Sequence, residues 1–80
     1  MNETRDICTI AREITKDWGS KISYSARPYL DAMYDLRLIT DKYYLDVAKS
    51  IIRYFLANAS SWRGETAKRI KLELKALLKT

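Results

Sequence analysis

The sequence predicts an all-α protein, a compact domain of four helices joined by short loops. Apolar residues recur at intervals of three and four along most of the chain, which is the spacing of one face of an α-helix. Hydrophobic residues make up 48% of the sequence, and only two glycines and one proline interrupt it, as is typical of an ordered, packed chain. Because 80 residues leave no room for a second core, residues 1–80 are predicted to form a single helical domain.

Helix one is predicted from about Glu3 to Trp18. Gly19 follows at the position where a left-handed C-cap is needed. Cys8 lies beside the apolar stripe and is expected to be an inert, half-buried side chain. The stripe itself consists of Ile7, Ile10, Ala11, Ile14 and Trp18.

Helix two is predicted to follow a loop over residues 20–24 and to run to about Leu38. Ser25 is placed to cap it, and Pro28 falls in the first turn, where a missing N–H removes no intrahelical bond. One face of this helix carries Tyr29, Leu30, Met33, Tyr34 and Leu36.

Helix three is predicted to be the most enclosed of the four. A connector over residues 39–45 precedes it, with a polar beginning and an aromatic end, and Asp46 is its expected N-cap. Tyr54 and Leu56 are expected on the flanks of a wide apolar face. That face consists of Val47, Ala48, Ile51, Ile52, Phe55 and Ala59.

Helix four is predicted over residues 61–80, with Ser60 or Ser61 as its cap. Trp62 is expected to pack between helices three and four. Gly64 would then lie inside a helix, where glycine costs about 1 kcal/mol relative to alanine. Tight packing of its backbone against a neighbour is the favoured explanation, ahead of the approach of an outside molecule.

Helix four carries most of the excess positive charge. The formal net charge is +5, and residues 1–40 contain six basic and six acidic side chains, whereas residues 41–80 contain nine and four. On a helical wheel four lysines fall within about 80°, roughly 115° from the apolar stripe. These lysines are Lys68, Lys71, Lys75 and Lys79, and the apolar stripe is Ala67, Ile70, Leu74, Leu77 and Leu78. The asymmetry indicates an acidic partner, although lysines that only solubilise an exposed face would give the same pattern.

The sequence offers no pattern for catalysis or metal binding. It has no histidine, one cysteine, no glycine-rich phosphate loop and no nucleophile elbow. Asp31 and Asp35 lack further ligands and are interpreted as a solvated acidic pair. A single cysteine favours a reducing, cytosolic compartment, and neither a signal peptide nor a membrane span is predicted. We therefore predict a protein that is not an enzyme and uses no metal or cofactor.

Two kinds of macromolecular partner remain open. Leu72 lies beside the lysine stripe, and a leucine flanked by lysines is typical of a protein-binding surface or a dimer contact. Alternatively, residues 58–63 could join helices three and four as a helix-turn-helix, with Arg63, Thr66 and Arg69 facing nucleic acid. Some of the six tyrosines are expected at the surface, where protein contact or base stacking would use them. An interfacial membrane helix is less favoured, because folding uses the apolar face.

Three segments of the chain resemble small proteins encoded by bacteriophages and prophages. The segments are Pro28-Tyr29-Leu30-Asp31-Ala32-Met33, Tyr54-Phe55-Leu56-Ala57-Asn58-Ala59 and Trp62-Arg63-Gly64-Glu65-Thr66-Ala67-Lys68-Arg69-Ile70-Lys71. The resemblance implies a bacterial cytoplasm and an accessory protein that binds and redirects or inhibits a host factor, including a host defence complex. It transfers no functional residue.

We predict a non-catalytic protein that binds a host macromolecule through helix four. A host protein or protein complex is the favoured partner, nucleic acid is the alternative, and a homodimer remains open. We expect charge reversal at Lys71 and Lys75 to abolish partner binding while leaving the fold intact. The candidate contact residues are Arg63, Lys68, Arg69, Lys71, Leu72, Lys75 and Lys79.

Overall fold

The computed structural model describes residues 5–43 and 46–79, apart from the side chains of Tyr43 and Asp46. Within this part the chain forms four α-helices and one 3-10 turn, and β1 and β2 pair in antiparallel fashion before the third helix. The predicted all-α, four-helix fold is confirmed, since the strands have only two residues each. The elements are α1 (Ile7–Trp18), the 3-10 turn (Gly19–Lys21), α2 (Arg27–Met33), β1 (Lys42–Tyr43), β2 (Asp46–Val47), α3 (Ala48–Ala57) and α4 (Glu65–Leu78).

One apolar core joins all four helices. Three aromatic rings form its centre: Trp18 stacks on Trp62 at 5.6 Å between ring centroids, and Phe55 meets both edge-on at 6.2 and 6.4 Å. Stacked and edge-to-face arrangements are the favourable geometries for aromatic pairs. Within the described residues no polar or charged side chain is fully buried, so the core depends on apolar packing.

Helix α1 begins later than predicted. Its first residue is Ile7, and the two residues before it are not helical; Glu3, the predicted start, lies outside the described residues. The amides of Ile7 and Cys8 donate to the main-chain carbonyls of Arg37 and Leu36, at 2.9 and 2.8 Å. These bonds satisfy donors that a helix start leaves without an intrahelical partner. The loop after α2 therefore supports the first turn of α1.

The end of α1 follows the prediction. Gly19 has a φ of +62°, and its amide donates to the carbonyl of Thr15. Glycine adopts positive φ without a steric penalty, which explains its presence there. The predicted loop after it contains the short 3-10 turn, so it is more ordered than expected.

Helix α2 is shorter than predicted at both ends. It starts at Arg27 after Ala26, so Ser25 is not the cap, and it ends at Met33 rather than near Leu38. Pro28 does lie in the first turn, as predicted.

The early end of α2 has a tertiary cause. The amides of residues 34–36 donate hydrogen bonds to the carbonyls three positions earlier, so the chain winds more tightly than an α-helix there. The carbonyls of residues 36 and 37 accept hydrogen bonds from the first amides of α1. The Asp41 carboxylate accepts the amides of Arg37 and Leu38, both at 3.0 Å, and thereby closes the following turn. These hydrogen bonds lower the pKa of Asp41.

Helix α3 starts at Ala48 with Val47 at its N-cap position, so the prediction of Asp46 as N-cap is wrong. Asp46 lies in β2, and the amide of Ala48 donates to the carbonyl of Asp41 at 2.9 Å. Val47 is 42% exposed and is not a core residue, contrary to the prediction. Tyr44, in the predicted connector, lies outside the described residues, as does Leu45. Four residues of the predicted core face are buried within the helix, and a fifth just after it, namely Ala48, Ile51, Ile52, Phe55 and Ala59.

Helix α4 starts at Glu65, so neither Ser60 nor Ser61 caps it. Gly64 stands at the N-cap position with a φ of +117°, and a Cβ built on it would meet nothing within 4 Å. The prediction of a tightly packed glycine inside a helix is therefore wrong; the positive φ explains the residue. Thr80, the predicted end, lies outside the described residues. The apolar stripe is confirmed, with Leu78 half-buried and four residues buried, namely Ala67, Ile70, Leu74 and Leu77.

Candidate binding surface on helix α4

The exposed side of α4 carries one exposed leucine at the edge of the lysine stripe, and a shallow depression beside it is lined by Lys68, Arg69, Glu65 and Glu73. Leu72 lies in the middle of the helix and its side chain is 60% exposed. Within the described part of the chain, Arg63, Lys68, Lys75 and Lys79 form no ion pair, whereas Arg69 is paired with Glu13. We call this surface the basic face and define it as Arg63, Lys68, Leu72, Lys75 and Lys79.

The position of the basic face follows from the packing of α4. Its apolar stripe is buried against α1 and α3, which turns the lysine side of the helix towards solvent. Leu72 and Leu74 are two residues apart and therefore point in different directions on a helix. Arg63 precedes the first turn and Lys79 follows the last, so the face extends beyond both ends of the helix.

Lys71 is a candidate residue that the fold already uses. Its side chain is half-buried, and Nζ donates a 2.7 Å hydrogen bond to the main-chain carbonyl of Trp62. Nζ also lies 5.9 Å from the centroid of the Trp62 ring, within the range of a cation–π contact. Burial lowers the pKa of Lys71, and the positive charges of Lys75 and Arg63 lower it further. A charge reversal at Lys71 would therefore remove two internal contacts as well as change the surface.

Arg69 is also engaged within the molecule. Its guanidinium donates to the Glu13 carboxylate on α1, and Arg5 donates to the other oxygen of Glu13 at 2.7 Å. Arg5 further donates two bonds to Glu73, at 2.9 and 2.6 Å, so two arginines and two glutamates alternate. We call Arg5, Glu13, Arg69 and Glu73 the ion network.

The ion network shifts the pKa values of two of its members, Glu13 and Arg5. Hydrogen bonds from Arg5, and then from Arg69, lower the pKa of Glu13. The hydrogen bond to Glu73 is the largest cause that raises the pKa of Arg5. The two pairs that involve α4, Arg69–Glu13 and Arg5–Glu73, are 56 and 68 positions apart in the sequence, so no local pattern reveals these contacts.

Trp62 fixes the segment between α3 and α4. The indole is only 2% exposed, and its Nε1 donates to a carboxylate oxygen of Asp17 at 2.9 Å. It packs against the rings of Trp18 and Phe55, so its predicted role between helices three and four extends to α1 as well. Arg63 and Gly64 directly follow Trp62, so the basic face begins next to a buried, hydrogen-bonded residue.

The residues predicted to contact nucleic acid are divided among different surroundings. Arg63 is exposed, Thr66 is half-buried in a groove beside α1, and Arg69 is paired with Glu13. The structure therefore leaves Arg63, Lys68, Leu72, Lys75 and Lys79 exposed and places Arg69 and Lys71 in internal contacts.

Several tyrosines are exposed, as predicted, but they lie on other elements. Tyr24 is 96% exposed in the turn before α2, and Tyr54 on α3 is 55% exposed. The rings of Tyr29 and Tyr54 stack at 5.4 Å, which joins α2 to α3. Tyr34 shares a hydrogen bond with the hydroxyl of Thr15 on α1. Three of the four tyrosine side chains that the structure describes, Tyr29, Tyr34 and Tyr54, therefore contact a neighbouring helix.

Within residues 5–43 and 46–79, no cluster of three or more cysteine, aspartate or glutamate side chains is placed to hold a metal ion. The helices formed by these residues are all too short or too polar to cross a membrane. Comparisons of the chain with protein-family models, with curated proteins and with solved structures find no match.

Proposed function

We propose that this protein is a non-catalytic binding module whose basic face docks on an acidic surface of a partner protein. The observation that supports the proposal is Leu72, which is 60% exposed on α4 beside lysines that form no ion pair within the described residues. An apolar side chain at the centre of a polar rim is the usual anatomy of a protein interface.

The partner that fits this face has a small apolar pocket bordered by carboxylates. Leu72 would enter the pocket and exclude water, and the surrounding cations would steer the two proteins together and fix their orientation. The rim charges Lys75 and Lys79 are exposed, so they contribute more to the rate of association than to the final affinity.

Nucleic acid is the second candidate partner, because the same cations would neutralise phosphates. The ion network removes Arg69 from this set of cations, since Arg69 is occupied by Glu13. Leu72 also has no role in phosphate contact. A protein partner accounts for the cations and the leucine together.

The resemblance to phage and prophage proteins suggests the setting. In that setting the module would act in a bacterial cytoplasm by occupying a surface of a host protein, for example a component of a defence complex, and thereby inhibiting or redirecting it. This role requires binding alone, consistent with a surface that carries anchor residues rather than reactive groups.

The test is affinity capture of the tagged protein from bacterial lysate, with and without nuclease, followed by binding measurements on the retained partner. Leu72→Ala is expected to weaken binding about tenfold or more, as for a central interface residue. Leu38→Ala is the matched control, because Leu38 is a 54% exposed leucine on the loop after α2. A second comparison measures partner binding by two double variants. One combines Lys75→Glu with Lys79→Glu, and its control combines Lys21→Glu with Lys42→Glu, since Lys21 and Lys42 are exposed lysines on other elements.

Loss of binding in the Leu72 and Lys75/Lys79 variants, with binding kept in both controls, would support the proposal. Equal binding by all variants would contradict it and place the contact on another surface. If retention disappears after nuclease treatment and falls steeply with salt, the partner is nucleic acid.

A further inference from the structure

A shallow depression lies at the beginning of α4, at one end of the basic face. Trp62 and Gly64 form part of its wall, and the charged residues that border it are Arg63, Glu65, Lys68 and Lys71. Three cations thus meet one carboxylate in a small space. The charge of the border is about +2 at neutral pH.

The depression is rigid where Trp62 and Lys71 line it. Lys71 is held by its 2.7 Å bond to the Trp62 carbonyl, and the Trp62 indole is itself bonded to Asp17 and stacked on Trp18. Gly64 adds no side chain, and a Cβ at this position would meet no atom within 4 Å. A group that enters the depression therefore meets open space beside Lys71, which is held in place, and two exposed cations.

The cations lack a counter-charge within the described residues. Neither Arg63, Lys68 nor Lys71 forms an ion pair there, and the same is true of Glu65. The charges of Lys75 and Arg63 disfavour the protonated form of Lys71, which lowers its pKa in addition to the effect of burial. A bound anion would relieve this repulsion.

We propose that this depression binds a dianionic phosphate group, as carried by a phosphate monoester. Two negative charges match the net charge of the border, and the arginine fork offers paired donors for two phosphate oxygens. The ammonium groups of Lys68 and Lys71 supply the remaining positive charge. The site shares Arg63 and Lys68 with the basic face but does not include Leu72, so Leu72→Ala tests the protein-binding role without altering the phosphate site.

The test is a titration of the full chain with inorganic phosphate at constant ionic strength, in which NMR measures the chemical shifts of the backbone amides. Acetate serves as a monoanionic comparison. Saturable shifts confined to residues 62–71 are expected with phosphate, and the pKa of Lys71 is expected to rise, because a bound anion favours the charged lysine. Arg63→Gln is expected to weaken phosphate binding at least about fivefold, and Arg53→Gln, an exposed arginine on α3, is the control.

Three results would overturn the proposal. The first is a set of shifts that is the same in acetate and phosphate, since that indicates general screening of charge. The second is unchanged phosphate binding by Arg63→Gln. The third is a single-stranded oligothymidylate without terminal phosphates that causes the same shifts at lower concentration, which would assign the depression to a nucleic-acid backbone. None of these results bears on Leu72, so the protein-binding proposal is tested separately.

Discussion

The two sides of α4 carry their charges in different ways. On the side next to α1, the ion network alternates two arginines with two glutamates, and every member is hydrogen-bonded to another. On the outer side, the basic face has cations and one leucine but, within the described residues, no ion pair. The first arrangement is neutralised within the molecule, whereas the second is left for solvent or a partner.

The difference shows why the number of charges on a helix does not identify its binding surface. Arg69 and Lys68 are adjacent in the sequence and both are exposed to some degree, yet Arg69 is paired with Glu13. What matters is whether an opposite charge or a carbonyl in the same molecule already contacts the cation. By this criterion Arg69 and Lys71 belong to the fold, and the basic face retains the remaining candidates.

The largest expected effect on stability distinguishes two leucines that lie on different sides of α4. Leu74 is completely buried, whereas Leu72 is 60% exposed. Leu74→Ala is expected to lower the free energy of unfolding by about 2–5 kcal/mol, because it leaves a cavity in the core. Leu72→Ala is expected to change it by less than about 0.5 kcal/mol. Chemical denaturation of both variants measures the difference.

The pair also separates stability from binding. Leu72→Ala should lose partner binding with an unchanged midpoint of unfolding, which would assign the residue to recognition. A loss of stability in Leu72→Ala that equals that of Leu74→Ala would show that the two sides of α4 are not distinct, and it would remove the basis for the proposed function.

The sequence predicted the buried side of the fold well. The spacing of apolar residues located the stripe of α1 and that of α4, and Gly19 ended α1 as expected. Helix boundaries were less predictable, because other parts of the chain set them. The carbonyls of residues 36 and 37 bind the start of α1, so α2 ends at Met33 although apolar residues continue to Leu36.

The candidate surface was predictable in part. Lys71 lies about 20° from Leu78 on the helical wheel, nearer to the apolar stripe than the other lysines, and this position is a signal for its partial burial. The pairing of Arg69 with Glu13 could not be predicted, because it depends on how α1 packs against α4. The late start of α4 at Glu65 likewise depends on the backbone conformation of Gly64.

A smaller difference in stability is expected between alanine substitutions of two lysines on α4. Lys71→Ala removes the hydrogen bond to the Trp62 carbonyl and the contact with its ring, and we expect a loss of about 1 kcal/mol in the free energy of unfolding. Lys75→Ala removes the same charge from an exposed position and is expected to have almost no effect. Thermal unfolding at equal ionic strength compares them. Equal stability of the two variants would mean that Lys71 belongs with the open cations after all.

The smallest effect concerns the ion network and depends on pH. Glu13→Gln is expected to cost about 0.5–1 kcal/mol at pH 7, since partly exposed ion pairs contribute little individually. Because the folded protein lowers the pKa of Glu13, the carboxylate stabilises the fold fully above the ordinary glutamate pKa of about 4.3. That contribution is lost as the pH falls through the lowered pKa, where the protonated glutamate resembles glutamine. Urea denaturation across this range should therefore show the parent and the variant converging in acid.

The control for this measurement is Asp35→Asn, because Asp35 is exposed after α2 and forms no ion pair within the described residues. We expect its difference from the parent to stay small over the whole range of pH. A gap between the parent and Glu13→Gln that persists in strong acid would show that shape, rather than charge, makes Glu13 stabilising. The contrast between a neutralised and an open side of α4 would then depend on packing, and the unpaired cations would lose their value as a sign of a binding surface.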